Sequence, residues 1–541
     1  MSDQSNFKRP DFLKAAGVGA AAAFSLVGLN PSAAVAAPPK TWDDEADVVI
    51  VGDGGGGAIA AINAADAGAK VLILEKSAAH KHVNNTNVAG GLFISPNDPA
   101  KAFQYIKACI GDTVDDEMCH LWAEATSHNA AYMQSLAKHV GDDSDLLRFG
   151  GAEFPDLPGA DGIDVYVLKT GPGAKIFEIM EKNVQARKNI RISYSSPGKQ
   201  LIQAADGEIL GVVAERDGKP INVRAKRATV LSTGGFEYNE TMKLNYFYGN
   251  PRFFYGPDCN TGDGVLMAMA VGAQLWHMNW SSQHWGFHYK NFPLGMAADF
   301  GPIKPSFIVV DQYGKRFFND AYNGHSSYEY FILYDPLNSS WTRLPGYLIF
   351  DETMRTMGVP LSSNTGNAGG ITGGKTAEYG YRWSTDQSAE IAKGWIMKAD
   401  TIAELAAAIR ARQGPNPFVD YTSKVQMDPA VLANTISTFN GYAQAGKDPD
   451  FARPAKQMAP IQTGPFYATE VWPTGPNTQG GPKFDSMGRV LDVFGKPIPR
   501  LYKAGELGSI YGERYPAGGG NIAEILSFGR IVGQNAAKER A

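Results

Sequence analysis

Cysteine is almost missing from this chain: Cys109, Cys119 and Cys259 are the only three in 541 residues. They are too few and too scattered for an iron–sulfur cluster, and no C-x-x-C-H is present to attach haem. Basic runs are absent beyond the N-terminus, and a formal net charge of −5 gives no field for a polyanion, which excludes nucleic acid as a partner. After the N-terminal segment no apolar run approaches the ~18 residues of a membrane span, so no stable membrane insertion of the mature chain is expected. His80 and His82 have the spacing of metal ligands but no third ligand near them. They read as solvated loop residues, and no metal site is expected. Any redox chemistry would therefore need a diffusible cofactor or a partner protein.

What is present begins with an N-terminal segment that reads as an export signal over residues 1–37. Lys8 and Arg9 form a charged start, Phe12-Leu13-Lys14 follows, an apolar stretch runs from Ala15 to Leu29, and Ala34-Val35-Ala36 resembles a processing site. The pattern resembles a twin-arginine signal, with Pro10 where the second arginine would stand; a Sec signal is the alternative. Export to the periplasm is the expectation. The length of the rest is enough for two or three domains.

The stretch Asp47–Lys76 organises the remainder. Val48-Val49-Ile50-Val51 is a strand, and Gly52, Gly54 and Gly57 follow in G-x-G-x-x-G spacing. An alanine-rich helix leads to Gly68, and a second strand, Val71 to Leu74, ends at Glu75. The first glycine suits the tight turn, the second the approach of a pyrophosphate, and the third close packing of helix on strand. The helix N-terminus offers free N–H groups to phosphate. Glu75 stands where an acid holds the hydroxyls of an adenosine ribose. The unit says dinucleotide without choosing between NAD and FAD.

Further along, a polar loop from His80 to Gly91 carries Asn85, Thr86, Gly90 and Gly91, small and polar groups able to pass under a cofactor. Ala228 to Phe236 gives a strand into a glycine turn at Thr233-Gly234-Gly235. Asp263 opens a helix, either as a cap or as an acceptor for a ribityl hydroxyl. From Trp276 the composition changes: Trp276, Trp280, Trp285, Phe287, Tyr289 and Phe292 cluster around His277, His284 and His288. They form either a core or the wall of a bulky apolar pocket. The region 276–464 reads as a separate capping domain between two parts of a dinucleotide domain, 44–275 and 465–541. The last part holds Leu501 to Glu506, a strand into Gly505-Glu506, and Tyr515-Pro516-Ala517-Gly518-Gly519-Gly520-Asn521 at a helix start. Such a glycine run stabilises negative charge on a flavin or an enolate.

Together VVIVGDGGGG, VLSTGGF, TGDG, GKRFFND, GPFYA, TQGG, LYKAGE and GGGNIAEILSFGR resemble the flavoproteins of fumarate reductase and succinate dehydrogenase, a family that includes urocanate reductase and the 3-ketosteroid dehydrogenases. The resemblance implies an α/β fold: a discontinuous Rossmann-like FAD-binding domain with an inserted α+β capping domain. It implies that Gly52, Gly54, Gly56 and Gly57 line the pyrophosphate and that Glu75, with Lys76 beside it, holds the adenosine ribose. Asn85, Thr86, Gly90 and Gly91 approach the flavin. Thr233 and Gly234 join the cofactor site, Asp263, Gly505 and Glu506 bind the middle of FAD, and Asn521, Ile522 and Ala523 its ring. Covalent members link FAD through a histidine in the glycine-flanked loop; that position is Asn84 here, so non-covalent FAD is implied.

The departures narrow the activity. Fumarate reductases carry H-P-T where this chain has Gln283-His284-Trp285, their proton-donating arginine falls near Gly324, and their second dicarboxylate histidine is Asn477. Arg514 alone survives of the substrate cations, as a carboxylate partner or a structural ion pair. The run from Tyr515 to Gly519 instead is similar to the Y-P-G-x-G of ketosteroid dehydrogenases, in which Tyr515 O–H and Gly519 N–H would polarise a ketone. Tyr322 sits near that subfamily's catalytic base, with His325 and Arg316 as possible cationic neighbours. The expected activity is FAD-dependent hydride exchange at a C–C/C=C bond next to a carbonyl, as a reductase of a bulky enone or enoate. A ketosteroid-type dehydrogenase, an oxidase using O₂, and a non-catalytic electron-transfer flavoprotein are the alternatives. The expected partners are a small-molecule substrate and an external electron donor or acceptor, such as a cytochrome or quinol pathway.

Overall fold

Five parallel strands form the frame that positions the site. In the computed structural model, residues 35–169, 174–289, 306–357, 386–412 and 426–541 are described, together with Phe292, residues 294–298, Tyr381 and Ser384. The export-signal reading, apart from residues 35–37, lies outside the described residues.

The frame consists of β1 (Asp44–Val51), β2 (Val71–Leu74), β3 (Ile190–Ser193), β4 (Lys219–Leu231) and β9 (Pro497–Lys503), in spatial order β9-β4-β1-β2-β3. β1 is fully buried over its second half and pairs in parallel with both β2 and β4. Strands buried on both faces need continuous apolar runs, which Val48 to Val51 and Val71 to Leu74 supply. Asp206-Gly207 and Asp217-Gly218 make the two hairpin turns that link Gly198–Gln203, Ile209–Arg216 and β4 into an antiparallel extension.

α1 (Gly55–Asp66) packs against α3 (Gly520–Lys538), the last helix of the chain. The alanines of α1 and two glycines of α3 set how closely these helices approach. A Cβ on Gly533 would stand 2.3 Å from the Ala60 carbonyl oxygen, and one on Gly529 2.7 Å from Ile59. The close approach of α3 brings the start of that helix, built by the far end of the chain, beside the first βα turn.

A second sheet lies in the middle of the chain. Its antiparallel path is Met296–Ala297, β5 (Ser281–Phe287), β8 (Phe466–Thr478), β7 (Gly346–Asp351) and β6 (Phe307–Val310). β8 is its central strand, so the stretch just after residue 465 pairs with strands of the 276–464 region rather than with the parallel frame. The aromatic cluster resolves here as core. Trp285, Phe287 and Tyr289 are buried beside Trp395 and Trp472, and Tyr289 stacks on Trp395 at 4.4 Å. These three rings therefore do not form the wall of a substrate pocket.

Candidate active site

A groove runs over the first βα turn. Gly52 turns there with φ of +104°, and a Cβ on it would stand 2.3 Å from the Ser232 carbonyl oxygen. Gly54 caps α1 with no side-chain bond, the first turn carries no acid, and nothing lies within 4 Å of where its Cβ would be. The helix end is thus open to the groove and electropositive. Gly56 abuts Gly505, at 2.7 Å from its would-be Cβ to the Gly505 Cα. Gly57 does not line the groove; its space is taken by the Gly52 carbonyl 2.1 Å away, the helix-on-strand contact expected of the third glycine.

Glu75 closes one end. One of its oxygens accepts from Asp53 N–H at 3.0 Å and the other from Ser77 N–H at 2.7 Å. Asp53 is buried beside it, and burial, then the charges of Glu75 and Glu181, push its carboxyl well above the usual range. His82 is not solvated: it is buried with its ring nitrogens 3.8 Å from both Asp53 and Glu75. Lys76 pairs with Asp263 at 2.9 Å and donates to Thr261. Asp263 begins α2 (Asp263–Ala270) but does not cap it, since Gly262 is the N-cap. Thr233 Oγ1 accepts from Gly264 N–H at 3.1 Å and, with Gly234, lines the same groove.

Glu506, Asn85, Thr86 and Ile525 line both this groove and a second cavity of about 790 Å³, so the two are continuous. Glu506 accepts from Asn85 at 2.9 Å, Asn260 at 3.1 Å and Gly235 N–H at 3.3 Å. Burial, followed by the charge of Glu237, pushes Glu506 well above the usual carboxylate range. Burial also raises Glu237, one of whose oxygens has no hydrogen-bond partner among the described residues. Lys503, buried under this turn, holds the Gly505 carbonyl and Glu524.

The second cavity contains the groups with chemistry. Tyr515 Oη accepts from Asn521 N–H at 2.7 Å, in the first turn of α3. No acceptor for its own proton is present among the described residues, and burial pushes its ionisation up, so it stays a donor. Gly519, at φ of +85°, packs its Cα so tightly on Leu92 that a Cβ would stand 2.3 Å from that carbonyl. No partner for Gly519 N–H is present among the described residues. Two donor groups that line the cavity thus stand at a helix N-terminus, a setting in which a developing oxyanion is stabilised.

Next to Tyr515 stands His325, ring centroids 4.7 Å apart. His325 Nδ1 lies 2.7 Å from Glu153, which also accepts the His325 backbone N–H at 2.5 Å. Burial raises the Glu153 carboxyl, but the charge and hydrogen bonds of His325 outweigh that and hold it below the usual range. An ionised acid thus fixes the ring by Nδ1–H. His325 Nε2 has no hydrogen-bond partner among the described residues, on a ring that lines the cavity.

A family model for the FAD binding domain matches residues 47–522. The chain belongs to the FAD binding domain family. Among curated relatives, 3-oxosteroid 1-dehydrogenase of Mycolicibacterium smegmatis is 26% identical, over 90% of this chain and 96% of its own. Fumarate reductase (cytochrome) of Shewanella frigidimarina is 27% identical, over 94% of this chain and 79% of its own. The fold is similar to that of 3-ketosteroid delta1-dehydrogenase from Sterolibacterium denitrificans, with a TM-score of 0.75 at 23% identity, covering 91% and 99% of the two chains. The residues present fit FAD. The open space at Gly54 accommodates a pyrophosphate, Glu75 retains acceptor capacity for ribose, and the glycine-walled continuation past Glu506 reaches Gly90, whose Cβ position is empty.

Within this family site most of the expected positions come together, and several do not. Gly52, Gly54, Gly56, Glu75, Lys76, Thr233, Gly234, Asp263 and Gly505 line the groove; Gly90, Gly91, Gly519, Asn521, Ile522 and Tyr515 line the cavity. Asp263 lines the groove on its Lys76 side and does not line the cavity. Ala523 is fully buried, its N–H bonded to the Gly519 carbonyl, and lines neither space. Tyr322 is one layer back: its hydroxyl donates to Glu153 at 3.4 Å and its side chain does not line the cavity. Arg316, the suggested cation beside it, is held instead by Asp320 and Asp448. Arg514 is exposed and touches the Ala108 carbonyl, away from the cavity. Sequence reasoning missed Glu153 and Tyr255, and named His284 only as part of the aromatic cluster and of the Gln283-His284-Trp285 departure. Histidine scarcity, nine in the chain, was the available signal for His284. Glu153 carried none.

Proposed function

We propose that this chain is an FAD-dependent oxidoreductase of CH–CH groups that reduces a C=C bond conjugated to a carbonyl. The observation that carries the reading is the lining of the cavity, where Tyr515 and Gly519, just before α3, stand together with His325, whose ring lies 4.7 Å from that of Tyr515 and whose Nε2 has no partner among the described residues. Bound FAD supplies hydride chemistry at the β-carbon. The protein's share is threefold. Tyr515 and Gly519 take the carbonyl oxygen and hold the negative charge that develops on it. His325, oriented by Glu153, delivers the proton to the α-carbon. Val88, Leu92 and Ile522 supply apolar lining for the rest of the substrate. Tyr322 supports Glu153 and is a positioning residue.

No lysine or arginine is among the described residues that line the cavity, which disfavours a dicarboxylate, since two carboxylates need paired cations. The same groups run backwards in a dehydrogenase, and the relative named 3-oxosteroid 1-dehydrogenase keeps that direction as the second reading. FAD is held non-covalently in this proposal, because Asn84 spends its side chain capping the short helix Asn85–Val88 and bonding the Asp53 carbonyl. Denaturation releasing all flavin into the supernatant is the expected result. Export and an electron donor of cytochrome or quinol type complete the proposal; fractionation of cells tests the first.

The deciding experiment is anaerobic. Reduced holoenzyme is mixed with enones, enoates and saturated ketones while flavin absorbance is followed. Prompt reoxidation by an enone is expected. Bleaching of oxidised flavin by a saturated ketone, with no reoxidation by any enone, reverses the direction. Fast reoxidation by O₂ with peroxide release and no response to either class indicates an oxidase.

A further inference from the structure

The cavity has a second polar end, opposite in sense to the first. Tyr255 Oη lies 3.0 Å from His284 Nε2, and His284 Nδ1 lies 3.1 Å from the Asn323 carbonyl oxygen. A carbonyl only accepts, so Nδ1 carries the proton. The ring is buried, and burial, with His325 adding to it, pushes its pKa down to about 4. The neutral imidazole therefore has its lone pair at Nε2, and the Tyr255 hydroxyl must donate to it. With its only proton committed, Tyr255 Oη has acceptor capacity left, and no donor to it is present among the described residues. Tyr255 and His284 both line the cavity.

Tyr515 is the mirror case: it accepts from Asn521 N–H and donates outward. Between the two tyrosines the rings follow one another along one wall. Tyr255 to His284 is 6.3 Å, His284 to His325 is 4.7 Å, and His325 to Tyr515 is 4.7 Å. The order of rings is therefore the Tyr255 acceptor, His284, His325 and the Tyr515 donor.

We infer that the substrate is an uncharged enone carrying a hydroxyl donor on the far side of its β-carbon. The inference rests on the C=C reductase reading and specifies its substrate class. The carbonyl oxygen sits at Tyr515 and Gly519, the α-carbon beside His325, and the remote hydroxyl donates to Tyr255. A methyl ether or a plain hydrocarbon at that end leaves Tyr255 Oη desolvated without a donor, which costs binding.

The test uses para-hydroxybenzylideneacetone, its methyl ether and unsubstituted benzylideneacetone on the holoenzyme. Binding is read from the spectral shift of oxidised flavin, and turnover from anaerobic reoxidation of reduced flavin. The hydroxy compound is expected to bind about tenfold tighter than either analogue. In Tyr255→Phe the ratio should collapse to within about twofold of unity, with flavin content retained as the check on folding. Equal binding of all three to the wild type overturns the inference, as does a preference that survives Tyr255→Phe. A hydroxyl preference that depends on Tyr255, with no reoxidation by any of the three, leaves the hydroxyl site standing and sinks the reductase reading, and with it the enone. Reoxidation without a preference does the reverse.

Discussion

The groove and the cavity join at Glu506 and yet are made of different materials. The groove is a backbone device: Gly52 and Gly56 pack directly on neighbouring backbone, Gly54 leaves open space, and Glu75 is anchored to neighbouring N–H groups. The cavity is a side-chain device: four rings, each with its hydrogen-bond polarity set by one partner, His284 for Tyr255, the Asn323 carbonyl for His284, Glu153 for His325 and Asn521 N–H for Tyr515. Failure should accordingly take two forms. Groove substitutions should lose the cofactor; cavity substitutions should keep it and lose rate.

The largest effect tests the first half. Gly52→Ala places a Cβ at 2.3 Å from a backbone carbonyl, at a φ that L side chains rarely adopt. Neither neighbour can give, because both belong to the buried turn. The expected product carries no flavin, measured as the ratio of visible to protein absorbance. A yellow, fully loaded Gly52→Ala protein would break the contrast outright.

Tyr515→Phe belongs to the other half. Phenylalanine fills the same space but removes the donor and the acceptor for Asn521 N–H. Flavin content should be unchanged, while turnover falls about 10²–10³-fold, the scale of losing one oxyanion donor. Glu153→Gln should come next. The amide cannot hold His325 by charge, and turnover should drop about 10²-fold with a displaced pH profile. If Tyr322 supports Glu153 rather than touching substrate, Tyr322→Phe should cost less than Glu153→Gln and move the pH profile in the same direction. A Tyr322→Phe loss exceeding that of Glu153→Gln would put the tyrosine at the reacting carbon instead.

The same contrast governs what could be read from the chain. The strand, turn, helix, strand and acid of the groove occupy thirty consecutive residues, and each demands a residue type the sequence displays. The cavity is assembled across the chain. Glu153 meets His325 from 172 positions away, a contact that depends on how the loop before Pro516 packs. Tyr515 was legible because a glycine-rich helix start declares itself. Arg514 beside it was equally suggestive and points to solvent, since adjacent residues leave a loop in different directions. The tryptophan-rich stretch left core and pocket wall open for another reason. β5 is buried on both faces, so aromatic density there reports a core, and only His284 within it opens to the cavity.

The smallest effect concerns the joint between the two halves. Glu506 and Glu237 are both raised above the ordinary glutamate value of 4.5, Glu506 by burial and the charge of Glu237, and Glu237 by burial. The folded state then binds more protons than the unfolded one from about pH 4.5 upward. Stability from this pair is present at low pH and is lost as pH rises through the raised values. His277, His284 and His288 act oppositely: burial pushes each to about 4, so the unfolded state binds their protons up to about pH 6.5 and stability rises with pH across that interval. Above pH 6.5 the histidines no longer contribute. Glu506→Gln keeps an oxygen for Asn85, Asn260 and Gly235 N–H and removes the titration. The wild-type holoenzyme should lose Tm between pH 6.5 and 8.5 relative to the variant, by a few degrees, because each tenfold difference in proton affinity between folded and unfolded chains is worth about 1.4 kcal/mol. Parallel Tm curves across that interval would mean that Glu506 is already ionised in the fold, stabilised by its three donors, and that the joint is as much a backbone device as the groove.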